Sequence, residues 1–268
     1  MFKMKFLRRG LASALITASL TLSAFATWAA PVTQLGFALD ASGSVSTANY
    51  NLLRTGLNAA LAGLPVDGSV EIAVVSYGTS VTSVVLPTVL TAATLTTIQL
   101  AITSHTKAGG STNTAGAISG LTALLTGSAN FADVGTKSII NLATDGEPNS
   151  QDAAVAAAVA AAAAGMDALS IEAIGTGVAD ATALANMVAI AFPGPATILA
   201  VNATTIPNPM GKSWVVPVSD FDALAPVLLA KVQASIKPPV TEVPEPGSLA
   251  LIGLALAGLV ATRRRIGR

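Results

Sequence analysis

The sequence contains no cysteine and only one histidine, His105. Disulfides, thiolate zinc sites, cysteine nucleophiles and a lipid-modified cysteine anchor are therefore excluded, and so is a metal site built from several histidines. Charged residues make up 10% of the chain and aromatic residues 4%, whereas 52% of the residues are apolar. With 268 residues, the chain is long enough for one sizeable domain with its own hydrophobic core.

The first 30 residues have the pattern of a secretory signal peptide. Four lysine and arginine residues between positions 3 and 9 precede an apolar stretch over 11–22, and small residues follow. Cleavage after Ala26 fits the small-x-small rule best, and Ala29 and Ala30 are the alternatives. A permanent membrane helix is disfavoured because the apolar stretch is short. We expect residues 1–30 to be removed when the protein is exported through the inner membrane.

The C-terminal part combines three features in order. The segment Val243-Pro244-Glu245-Pro246 is followed by an apolar run over 249–261 and by three arginines at 263–265. The run is shorter than the roughly 20 residues of a comfortable membrane span, and the arginines favour a cytoplasmic end. These residues resemble the PEP-CTERM sorting signal of Gram-negative bacteria.

The PEP-CTERM resemblance implies processing by an exosortase and a destination at the cell surface or in the extracellular matrix. It divides the C-terminal part into a proline-rich linker with the PEP motif (238–246) and a short transmembrane sorting segment with a basic tail (247–268). This segment would anchor the protein in the inner membrane transiently, before processing. A plain tail anchor is the alternative.

The formal net charge of zero hides an acidic central region. Eight of the 14 basic residues lie in the two terminal segments, whereas all 14 acidic residues lie between Asp40 and Glu245. Removing the ends leaves a net charge near −8. Nucleic acid is therefore not expected as a partner.

Predicted strands and helices alternate over 31–237. The predicted strands cover 33–39, 69–78, 80–86, 136–144, 167–177, 196–202 and 212–219. We expect the strand at 80–86 to form a hairpin with its predecessor, and Ser219 to cap the last helix. The alternation predicts an α/β domain with a Rossmann-like, doubly wound, mostly parallel sheet and helices on both faces.

Three polar loops leave or adjoin the predicted carboxyl ends of strands, where ligands bind in such sheets. They read "DASGSVS" from Asp40, "GGSTNT" from Gly109 and "TDGEPN" from Thr144. The alternation of Asp40, Ser42 and Ser44 lets a compact loop turn one carboxylate and two hydroxyls inward. Such oxygen ligands suit Mg²⁺ or Ca²⁺ rather than zinc. Each loop taken singly is also an ordinary cap or turn.

Together, "DASGS", "GGSTNTAGAI" and "LATDGEPN" resemble the metal-ion-dependent adhesion site of the von Willebrand factor type A domain. The resemblance covers roughly 33–236. It implies the Rossmann-like fold, a bound Mg²⁺ (or Mn²⁺ or Ca²⁺), and adhesion or ligand binding, usually without catalysis. It also implies a set of metal ligands, with Asp145 acting directly or through water: Asp40, Ser42, Ser44, Thr112 and Asp145.

Three functions follow from these patterns. The first is a secreted adhesion module whose metal binds an acidic group of a protein or polysaccharide partner. The second is a structural matrix or biofilm protein in which the metal only stabilises the loops. The third, a metal-dependent enzyme, is disfavoured, because the sequence has neither a G-x-S-x-G elbow nor a G-x-x-x-x-G-K-[ST] loop and we expect His105 to be a polar surface residue.

Overall fold

The computed structural model describes residues 33–237, in which strands and helices alternate as the sequence predicts. The elements are β1 (Thr33–Asp40), α1 (Thr47–Ala62), β2 (Asp67–Tyr77), β3 (Val81–Thr91), α2 (Ala92–Ser104), α3 (Thr114–Thr126), β4 (Lys137–Thr144), α4 (Gln151–Ala163), β5 (Ala168–Ile174), a 3₁₀ turn (Thr176–Val178), α5 (Ala181–Ile190), β6 (Thr197–Ile198), β7 (Trp214–Val218) and α6 (Leu224–Ile236).

The strands form one sheet in the order β3-β2-β1-β4-β5-β7-β6. Only β3 is antiparallel to its neighbour, so the predicted β2–β3 hairpin and the mostly parallel sheet are both confirmed. In the register of β1, Asp40 lies beside Tyr77 of β2, and Leu39 lies beside Ala143 of β4. The three central strands therefore end at the same edge of the sheet, where their loops can meet.

Helices cover both faces of the sheet, as a doubly wound fold requires. On one face, α1, α2 and α6 pack against side chains that include Phe37 and Trp214. On the other face, α3, α4 and α5 pack against side chains that include Ala38 and Leu142. Every residue of β1 is buried, which explains why this strand reads as a continuous apolar run with few polar interruptions.

Most helices begin at a side chain that accepts a hydrogen bond from the first turn, but α6 does not. The prediction that Ser219 caps this helix is wrong. The Ser219 amide donates to Asn202 Oδ1, and Asp220 Oδ1 instead accepts from the Ala223 amide in a turn that precedes the helix. The helix begins at Leu224, and Ala223 occupies the N-cap position.

One ion pair is fully buried between the sheet and α6. Lys231 Nζ lies 2.6 Å from Glu172 Oε1 and 2.7 Å from Glu172 Oε2. It also donates to the Ser170 carbonyl at 3.1 Å and lies 5.2 Å from the ring centroid of Trp214. Burial raises the pKa of Glu172 and lowers that of Lys231, and the attraction between the two opposes both shifts. The pair fixes α6 against β5.

The predicted signal peptide (1–30), linker (238–246) and sorting segment (247–268) lie outside the described residues. Within 33–237, no helix is both long and apolar enough to cross a membrane.

Candidate metal centre

Asp40 is the last residue of β1, and its carboxylate is held from two sides. Its Oδ1 accepts from the Ser42 amide at 2.8 Å, and its Oδ2 accepts from the Thr144 hydroxyl of β4 at 2.7 Å. Asp40 is completely buried at the base of the loop. The parallel pairing of β1 with β4 therefore sets the position and orientation of this carboxylate.

Two serine hydroxyls connect the first loop to the third. Ser42 Oγ and Ser44 Oγ lie 3.0 Å apart, and Ser44 Oγ donates to Asp145 Oδ1 at 2.5 Å. Ser42 is buried, Asp145 is half-buried and Ser44 is exposed. The row of oxygen atoms therefore runs from the buried edge of the sheet out to the solvent.

Thr112 brings the second loop to the same place. A Cβ atom on Gly146 would lie 3.5 Å from both Thr112 Oγ1 and Ser44 Oγ, so these hydroxyls face one small space beside Gly146. The Thr112 carbonyl accepts from the Asn149 amide at 2.9 Å, which ties the second loop to the third. The structure thus brings together the five residues that the sequence singles out: Asp40, Ser42, Ser44, Thr112 and Asp145.

Both carboxylates at this edge have a raised pKa. For Asp40 the main cause is burial, to which the negative charge of Asp145 adds, while hydrogen bonds from Ser42 and Thr144 oppose it. For Asp145 the main cause is again burial, opposed by the Ser44 hydrogen bond and the positive charge of Lys107. A cation placed between the carboxylates would favour their ionised forms and offset these shifts.

The donor set fits a small, hard divalent cation. Among residues 33–237 there is no group of three or more histidine, cysteine, aspartate or glutamate side chains placed to hold a metal. An ion here would have two carboxylates and several hydroxyl oxygens within reach, and neither sulfur nor imidazole. Mg²⁺, Mn²⁺ and Ca²⁺ all accept such oxygen ligands.

Glycines allow the first and second loops to pack backbone against backbone. The Gly43 amide donates to the Gly110 carbonyl at 2.7 Å, and the Gly109 amide donates to the Ala41 carbonyl at 2.8 Å. The Thr79 amide donates to the Gly109 carbonyl at 3.3 Å. Sequence reasoning missed this framework, although the glycine after β2 and the pair "GG" were visible signals of close backbone approach.

Replacement of Gly78 by alanine should lower the free energy of unfolding by about 2–4 kcal/mol. A Cβ on Gly78 would lie 2.0 Å from the Gly109 carbonyl oxygen, and backbone atoms can yield only if the loop moves. Urea denaturation measures the change. Gly211→Ala is the matched control, because a Cβ there meets no atom within 4 Å. A Gly78→Ala variant as stable as this control would contradict the close packing.

His105 is a half-buried structural residue and not the simple surface residue that the sequence suggests. Its Nδ1 lies 3.0 Å from the Tyr50 hydroxyl, and Arg54 donates to its main-chain carbonyl at 2.6 Å. Burial, with a smaller contribution from the charge of Arg54, lowers the pKa of His105. These contacts fasten the end of α2 at the start of the segment that leads to Thr112.

Solved structures share this fold at low sequence identity. Proximal thread matrix protein 1 from the mussel byssus, in a structure with a zinc-occupied MIDAS motif, is 19% identical over 76% of this chain and 46% of that chain (TM-score 0.54). The pilus adhesin SpaC from Lactobacillus rhamnosus GG is 16% identical over 76% of this chain and 30% of that chain (TM-score 0.56). Manganese-loaded TRAP from Plasmodium vivax is 17% identical over 75% and 73% of the two chains (TM-score 0.52).

These neighbours include adhesins and matrix proteins, and two of the structures contain divalent metal. This chain spans less than half the length of the mussel protein. A comparison with curated proteins found no match.

Family models match two parts of the sequence. The PEP-CTERM protein-sorting motif matches residues 242–265, which implies exosortase processing, export and a surface or extracellular location. The von Willebrand factor type A domain matches residues 34–206, which is more than half of the sequence. With the sheet order and the loop geometry described above, this match shows that the chain belongs to the von Willebrand factor type A domain family.

Proposed function

We propose that this protein is an exported binding module that uses a divalent cation, Mg²⁺ in the first instance, to bind an acidic group of a partner. The ligands would be the side chains of Asp40, Ser42, Ser44, Thr112 and Asp145. One observation carries the proposal: the Ser44 hydroxyl, at the exposed end of the row, joins Ser42 of the first loop to Asp145 of the third. Mn²⁺ and Ca²⁺ are the alternative ions.

The proposed ligands have different roles according to how deeply they are buried. Asp40 is buried and already bound by two donors, so it supplies negative charge from a fixed position. Ser42, Ser44 and Thr112 contribute neutral oxygens. When bound, the cation would supply an electrophilic position for a carboxylate from outside. Only two of the five proposed ligands, Asp40 and Asp145, are carboxylates, so they would balance the two charges of the cation without exceeding them. The other three are weakly donating hydroxyls, which would leave the cation electrophilic enough to bind a further carboxylate.

The sorting motif supports a place for this module outside the cell. In this proposal, residues 31–237 form the displayed domain, residues 1–30 are removed on export, and residues 247–268 anchor the chain in the inner membrane until an exosortase acts near the PEP motif. The partner would be a protein or an acidic polysaccharide of the cell surface or extracellular matrix. We propose no catalytic role.

A structural role is the second candidate, and the contacts of the loops favour it. The Ser44–Asp145 and Asn149–Thr112 hydrogen bonds already join the loops to one another. An ion at this place would strengthen that junction even with no partner. The protein would then be a matrix component whose metal stabilises the fold and binds nothing else.

Binding to carboxylated beads separates the two candidates. The purified protein is applied with millimolar Mg²⁺, Mn²⁺ or Ca²⁺ and again with EDTA, and beads whose carboxylates are methyl-esterified are the matched control. Thermal melts are recorded under the same conditions. We expect retention only with metal and only on free carboxylates. A metal-dependent rise in melting temperature without retention would favour the structural role, and neither effect would overturn both candidates.

A further inference from the structure

Lys107 lies on the rim of the proposed metal centre. It follows α2 and precedes Gly109, and its Nζ lies 3.9 Å from the point that a Cβ on Gly109 would occupy. The Gly109 amide is bound to the Ala41 carbonyl, one residue beyond Asp40. The side chain of Lys107 therefore folds back over the junction of the first and second loops.

In the part of the chain that the structure describes, the ammonium group of Lys107 has no acceptor. Within residues 33–237, Lys137 pairs with Asp167, Lys231 pairs with Glu172, and Arg54 donates to carbonyls at the end of α2. Lys107 is half-buried, yet it donates no hydrogen bond and forms no ion pair within the same range. The three N–H donors of this ammonium are therefore available to an anionic group that arrives from the solvent.

The positive charge of Lys107 acts on a carboxylate of the proposed metal centre. It offsets a small part of the rise that burial causes in the pKa of Asp145, which stays raised. The separation is too large for an ion pair, so Lys107 does not replace the metal between the carboxylates. The ammonium group of Lys107 is instead a positive group beside the position where a ligand would bind.

We propose that Lys107 binds a second anionic group of the ligand, so that the site selects ligands with two neighbouring carboxylates. This inference rests on the proposed function. One carboxylate would bind the cation, and the other would accept from the Lys107 ammonium. An isolated carboxylate would use only the first contact and bind more weakly.

Removing the charge of Lys107 then has opposite effects on the two ligands of the site. The cation is repelled by Lys107, so a Lys107→Gln variant should bind Mg²⁺ as well as the wild type or somewhat more tightly. A dicarboxylate is attracted by Lys107, so the same variant should bind it about three- to tenfold more weakly. A residue that merely supported the loop would weaken both kinds of binding.

The test compares succinate with succinamate, which has the same carbon skeleton and one carboxylate replaced by an amide. Amide chemical shifts of the protein are followed by NMR as each compound is added at a fixed free Mg²⁺ concentration. The wild type should prefer succinate by about three- to tenfold, and Lys107→Gln should lose the preference. Lys107→Arg should keep it, and Lys212→Gln, which changes an exposed lysine with no role in the site, should behave as wild type.

The outcomes separate this inference from the proposed function. Metal-dependent binding of both compounds with no preference, or a preference that survives in Lys107→Gln, would overturn the role of Lys107 and leave the metal site intact. Weaker Mg²⁺ binding in Lys107→Gln would also overturn it, because the residue would then support the loop. A wild type that binds neither compound in the presence of Mg²⁺ would overturn the proposed function and this inference together.

Discussion

A Lys231→Met variant should lose about 3–5 kcal/mol of unfolding free energy, because methionine cannot compensate the buried charge of Glu172. Both side chains of the pair are inaccessible to solvent, so Glu172 could not recover its hydration in the variant. Urea denaturation at neutral pH measures the loss. Lys137→Met is the matched control, since its partner Asp167 and Lys137 itself are partly exposed, and it should cost less than about 1 kcal/mol.

The deficit of Lys231→Met should shrink as the pH falls. Burial already raises the pKa of Glu172, and loss of the lysine removes the attraction that opposes this rise. The folded variant therefore holds a proton that the unfolded chain releases above the ordinary glutamate pKa, and its stability relative to wild type improves as the pH falls toward that value. A Glu172→Leu/Lys231→Met double variant should recover most of the loss. A single variant within 1 kcal/mol of wild type would contradict the importance of the pair.

An Asp40→Asn variant should lose the stabilisation that divalent metal gives to the wild type. At a concentration of Mg²⁺ about 100 times its dissociation constant, the wild type should gain about 2.7 kcal/mol, which corresponds to a rise in melting temperature of roughly 5–10 °C. Asparagine keeps the size of the side chain and removes its charge. Melting curves in EDTA and in Mg²⁺ measure the response.

Without metal, Asp40→Asn should melt at or above the wild-type temperature, since the variant no longer buries a carboxylate beside Asp145. This distinguishes a lost ligand from a damaged fold. Asp133→Asn, an exposed aspartate on the segment before β4, should keep the full response to metal. An unchanged metal response in Asp40→Asn would remove this residue from the proposed ligand set.

Much of the fold could be predicted because each element has a local signal. The buried strands are short runs of β-branched and apolar residues, and the helices carry apolar periodicity or many alanines between polar caps. The predicted strand over 196–202 was too long, and only Thr197–Ile198 pair with β7. The amides of Leu199 and Asn202 still donate to the β7 carbonyls of Val215 and Pro217, but the backbone between them forms a turn in which Asn202 has a positive φ of 57°, and a seven-residue sequence does not reveal such a turn.

The clustering of the five candidate residues could be predicted from the sequence, but their surroundings could not. Asp40 ends one buried strand and Asp145 follows another, and parallel strands place such residues at one edge. The position of Lys107 depends on how its side chain folds over Gly109, which spacing alone does not determine. Glu172 and Lys231 are 59 positions apart, and the only signal in the sequence was a single charged residue within each of two apolar segments.

Distant parts of the chain meet at Asp40 only after β1 and β4 have paired. The hydrogen bond between Asp40 and Thr144 joins residues 104 positions apart, and a contact of such long range requires that the loop-closure entropy of the intervening chain be offset first. An unfolded chain therefore has no preformed site, and the proposed cation binding would be coupled to completion of the central sheet. A chain that crosses a membrane before it folds would take up its ion from the solution on the far side. The ion that it carries would then reflect the supply outside the cell rather than the metal content of the cytoplasm.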